Sequence, residues 1–135
     1  METAYSQLVG HLNERSKELA CIYSVAQVVD NPKTSLPKVY QRVVEILPAG
    51  WQYPAITRAR IVVDDKQFRS LGYVDTEWKL SADIEVDNVK RGTTEICYLE
   101  KRPEVHIGPF LNEEWLLLTI IAGRLGRLIE RRQAA

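Results

Sequence analysis

The chain reads as an α+β protein: an antiparallel sheet of about four to six strands, backed by long N- and C-terminal helices and one shorter helix. Three observations predict this. Apolar residues recur at steps of three and four at both ends of the sequence, alternating and β-branched stretches fill the middle, and Asp64-Asp65 and Asp87-Asn88 punctuate that middle as two-residue turns. The order is therefore helix, helix, strands, helix, with hairpins rather than helical crossovers between strands. Residues 1–135 are expected to form a single domain, with the antiparallel strands within 56–100.

The first helix is predicted over 1–29. Tyr5, Leu8, Leu12, Leu19, Ile22, Ala26 and Val29 follow a heptad rhythm with one polar break at Arg15. Val9, Ala20, Tyr23, Val25 and Val28 widen the stripe towards the end, so the later turns need cover from more than one side while the early ones resemble a coiled-coil seam. Asp30-Asn31-Pro32 stops the helix, because proline disfavours helical backbone before it and donates no hydrogen bond. Ser35, as an N-cap before Leu36-Pro37, opens a second helix over 35–47, whose stripe is Leu36, Val39, Tyr40, Val43, Val44 and Leu47. Pro48-Ala49-Gly50 closes it.

Strands are predicted at Ile56 to Val63, Lys66 to Leu71, Trp78 to Val86 and Val89 to Leu99. The third alternates Leu80, Ala82, Ile84 and Val86 with Lys79, Ser81, Asp83 and Glu85, which implies one buried face. The fourth carries apolar weight on both faces and belongs in the centre of the sheet. After a loop at 101–110, the last helix runs over 111–133, with Trp115, Leu118, Ile121, Leu125, Leu128 and Ile129 at helical spacing. Gly123 and Gly126 disfavour a helix by about 1 kcal/mol each. Their missing side chains suit close contact with a neighbouring helix.

Composition excludes several functions. The 18 basic and 18 acidic residues cancel, which removes the broad positive field of nonspecific nucleic-acid binding. No apolar run reaches the roughly 20 residues of a membrane helix, and the first residues lack a signal-peptide pattern. A cytoplasmic protein with no membrane partner is expected. Cys21 and Cys97 stand far apart within apolar patterns and read as reduced core thiols. Neither His11 nor His106 is spaced to a nucleophile or acid, so no catalytic residue is assigned. No close pair of Cys or His suggests a metal, no glycine-rich loop suggests a nucleotide, and the sequence names no cofactor.

Two features remain. Trp51, Tyr53, Trp78 and Tyr98, with Arg60 on the first strand, cluster around the sheet and are the candidates for a ligand pocket; core packing is the simpler account of the aromatics. The two heptad stripes point to a homodimer in which Leu8, Leu12, Leu19 and Ile22 pair with Leu118, Ile121, Leu125 and Leu128 in a four-helix bundle.

The segments WQYPAITRARI at 51–61 and GPFLNEE at 108–114, with RSKELACIYSVAQVV and TEWKLSADIEV, make about residues 15–134 resemble a compact GAF-like sensor domain. Such domains accompany PAS and histidine-kinase modules. The resemblance implies a noncatalytic, dimeric sensory or regulatory module whose terminal helices relay a signal to an effector such as a histidine kinase. It also implies that Trp51, Tyr53 and Ile56 lock the second helix to the first strand. A small-molecule-binding module with an incidental dimer is the alternative. A GAF-like cysteine-dependent reductase would need a close cysteine cluster, which Cys21 and Cys97 do not form. Residues 64–79 leave only about fifteen positions between the first and third strands, too few for a generous lid over a ligand.

Overall fold

The computed structural model describes residues 3–134. Helix α1 spans Ala4–Val29, with the Thr3 hydroxyl accepting from Ser6 N at 3.1 Å as its N-cap; residues 1 and 2 of the expected helix lie outside the described residues. Helix α2, Leu36–Ile46, has proline in its first turn and tightens into a 3-10 turn at Leu47–Gly50. A second 3-10 turn, Pro54–Ile56, delays the first strand by one residue relative to expectation. The strands are β1 Thr57–Val63, β2 Lys66–Arg69, β3 Lys79–Val86 and β4 Val89–Tyr98, and helix α3 is Asn112–Ala134.

The fold is α+β, with one open antiparallel sheet of four strands in the order β2-β1-β4-β3. The two hairpin turns adopt left-handed backbone at Asp64, Asp65, Asp87 and Asn88, residue types that tolerate it. Strand β4 is interior, flanked by β1 and β3, as its apolar weight on both faces requires.

One face of the sheet carries the core: Ala59, Ile61 and Val63 of β1, Leu80, Ile84 and Val86 of β3, and Ile96 and Tyr98 of β4. Helix α2 covers β1 and β2, and α3 covers β3 and β4. Helix α1 packs on α2, α3 and the Leu47–Gly50 turn, one layer further from the sheet. The opposite face is polar. There Arg60 forks onto Glu95 at 2.6 and 3.1 Å, Lys79 meets Asp75 at 2.6 Å, and the Tyr73 ring lies 5.1 Å from the Arg60 guanidinium. The 70–78 segment folds over this face, and the Cys97 thiol donates to Val74 O at 3.0 Å.

Two expectations are corrected. Gly126 meets a strand rather than a helix, because a Cβ there would run into the Glu85 carbonyl. Leu118, Ile121, Leu125 and Leu128 are buried within a single copy, since the α3 stripe is spent on its own sheet and has no surface left for a partner.

Candidate functional site

Helix α1 begins well before the rest of the fold reaches it. Residues 3–13 are exposed throughout, and burial starts only with Cys21, Val25 and Val29. On this overhang Leu8 and Leu12 are 56% and 58% exposed, Tyr5 lies beyond them, and Leu19 and Tyr23 continue the stripe. Leu116 and Ile120 form an exposed apolar side on α3 where it adjoins α1, away from the sheet, while Trp115, also partly exposed, borders β3 beside Ala82 and Glu85. A shallow groove of about 160 Å³ joins the two helices, lined by Ile22, Leu116 and Ile120 and by the charged Arg15, Glu18 and Glu113. Arg15 donates to Glu18 at 3.0 Å and pairs with Glu113 at 3.5 Å, so the polar break in the heptad pattern bridges α1 to α3.

Of the predicted interface residues, Leu8, Leu12 and Leu19 therefore stand on an open face, and Ile22 is half-buried beside the groove. Leu118, Ile121, Leu125 and Leu128, expected to pair with them, face the core of their own copy instead. Leu116 and Ile120 were legible only as apolar residues off the main stripe.

Below this face lies a second feature. Glu114 is 1% exposed. Its Oε1 accepts from Leu111 N at 2.8 Å, the carboxylate half of a capping box at the start of α3. Its Oε2 accepts from Gln52 N, also at 2.8 Å, and so ties α3 to the segment that follows α2. Lys17 of α1 completes the junction from the other side, donating to Trp51 O at 3.3 Å and pairing with Glu14 at 3.0 Å. Burial is the largest influence on Glu114 and pushes it up to about 7; the two backbone donors oppose that rise, and the Glu14 and Glu18 charges add to it. Glu18 is raised too, again chiefly by burial. An acid at the third helical position is a readable sign of the capping half. The bond to Gln52 is not, because 62 positions separate the partners.

The five predicted pocket residues do not form one pocket. Trp51 and Tyr98 have no exposure and belong to the core, where Tyr98 packs between Tyr53 at 5.6 Å and Phe110 at 4.5 Å. Arg60 lies on the opposite face of the sheet, held by Glu95. Trp78 and Tyr53 are half-buried, Trp78 in a surface cleft with Lys101 and Arg102, and Tyr53 under the Arg102 guanidinium at 5.1 Å. The alternation of β1 explains the split: Arg60 and Ile61 cannot share a face.

His106 accepts from Asn112 N through Nδ1 at 2.9 Å and thereby caps α3. Cys21 and Cys97 are free and buried. Among the described residues no group of three or more His, Cys, Asp or Glu is placed to hold a metal, and no helix is long and apolar enough to cross a membrane. No family model matches the chain, and no curated protein matches it.

Proposed function

We propose that the chain is a GAF-like, noncatalytic regulatory module that pairs with a second copy through the outer face of α1 and the adjoining side of α3, and relays changes in that pairing to a signalling effector such as a histidine kinase. The reading places it in the cytoplasm, in keeping with two free buried thiols. One observation carries it: the heptad stripe of α1 continues through Leu8 and Leu12, beyond anything in its own copy that covers it. A repeat of this period is self-complementary, since two such stripes interdigitate about a two-fold axis. Leu116 and Ile120 extend the apolar patch, and α1 packs directly on α3 with the Arg15–Glu113 pair across their outer edge, so a shift of one helix is passed to the other.

Sedimentation of the intact chain at micromolar concentration tests this. A dimer is expected, and Leu8→Glu with Leu12→Glu is expected to dissociate it without altering the circular dichroism of the fold. A wild-type monomer at that concentration rejects the reading.

A further inference from the structure

We infer that the junction beneath the α1–α3 face is a proton-responsive joint: Glu114 in its neutral form lets α1 close over it with Glu14 and Glu18, its ionised form repels them and loosens α1, and pH thereby regulates pairing. The inference rests on the pairing proposed above and names its regulation.

The geometry carries it. Glu114 is shut away from water, and its oxygens have one backbone donor each. No basic group lies within 4 Å of them among the described residues, because the nearby cations are committed elsewhere. Arg15 is on Glu18 and Glu113; Lys17 is on Glu14 and the Trp51 and Gln52 carbonyls; Arg102 is on the Tyr53 ring and Glu100. The groups around Glu114 are Glu14 and Glu18 from α1, Glu113 from its own turn, Tyr98 from β4, and His106 on the solvent side of the Asn112 amide. An ionised Glu114 is thus a buried charge with no counterion of its own, facing the half-buried Glu14 and Glu18 whose partners Lys17 and Arg15 do not reach it, and burial is what raises its cost most.

Protonation removes that cost without breaking the joint. A carboxylic acid retains a lone pair on each oxygen for the Leu111 and Gln52 amides, the hydroxyl oxygen being the weaker acceptor, while the charge facing Glu14 and Glu18 disappears. Glu18 Oε1, Trp51 Nε1 and Tyr98 Oη are also buried without a protein partner. Buried polar groups left unpaired make such a region the readiest to open. When Glu114 ionises, the relief available is movement of α1, which carries Glu14 and Glu18 away and admits water. Since α1 supplies most of the proposed contact face, opening disfavours pairing.

The test combines a carboxyl-carbon NMR titration of the glutamates with sedimentation at pH 6 and pH 8, on the full wild-type chain, Glu114→Gln and Glu18→Gln. One glutamate is expected to titrate near 7, with its midpoint lowered by Glu18→Gln. The dimer dissociation constant is expected to rise about five-fold or more from pH 6 to pH 8 in the wild type and to stay flat in Glu114→Gln. Glu18→Gln keeps the test open should Glu114→Gln not fold. Every glutamate titrating in the ordinary range overturns the inference, as does a dissociation constant that ignores pH. If no dimer forms at either pH, hydrogen exchange of the α1 amides, corrected for chemical exchange rates, decides: protection lost towards pH 8 upholds the joint and rejects only the pairing, and unchanged protection rejects the joint.

Discussion

Helices α1 and α3 carry the same kind of apolar stripe, yet the two stripes have opposite fates. In α3, Leu118, Ile121 and Leu125 are wholly buried against the sheet. In α1, Leu8 and Leu12 remain open because they lie on the 3–13 overhang that the rest of the fold does not reach, and Leu19 because it lies off the Cys21, Val25 and Val29 side that packs inward. Spacing therefore states that a helix has an apolar face, and what lies opposite decides whether that face is core or contact surface.

The largest expected effect comes from treating the two stripes alike. Ile121→Ala is expected to cost about 2–5 kcal/mol in urea unfolding, the range for emptying a buried aliphatic site. The same truncation at Leu12, measured at a concentration where copies are apart, is expected to change stability by less than about 0.5 kcal/mol. Equal costs would erase the distinction.

Next is the joint between the helices. Folded Glu114 keeps its proton up to about 7, whereas the unfolded chain releases it in the ordinary carboxylate range. The folded state thus binds more protons within that window. This contribution is fully present below the ordinary range and is lost as pH rises through 7, on the order of 3 kcal/mol. Urea midpoints of wild type and Glu114→Gln at pH 5 and pH 8 measure it, the difference between pH values being smaller in the variant.

Two glycines give the smallest effects, and with opposite signs. Gly126→Ala drives a methyl group into the Glu85 carbonyl and is expected to destabilise by about 1–3 kcal/mol. Gly10 sits on the overhang of α1 with open space around its would-be Cβ, so Gly10→Ala is expected to stabilise that helix by up to about 1 kcal/mol. Thermal unfolding of both variants compares a packed helix with an unpacked one.

Much of the fold was legible because its signals are local. Asp30-Asn31-Pro32 ends α1, the Asp64-Asp65 and Asp87-Asn88 turns define the hairpins, and the alternation of β3 marks its buried face. Ser35 was legible as an N-cap by position, although its hydroxyl makes no capping bond. The candidate site was less legible. An aromatic cluster in sequence became core at Trp51 and Tyr98 and surface at Trp78, while Arg60 turned to the other side of the sheet. Aromatic side chains suit cores and pockets equally well, so composition alone does not separate them.

The sequence by itself determined the elements, their order, the turns between strands and which side of each strand is apolar, since these follow from backbone preferences and the 2.0 and 3.6 residue periods. Only the tertiary structure decided that α3 lies on the sheet and α1 on the helices, that Leu116 and Ile120 face outward, and that Glu114 reaches Gln52 across 62 positions. Those outcomes depend on how limited surfaces are shared among elements distant in the chain, and no local pattern records that allocation.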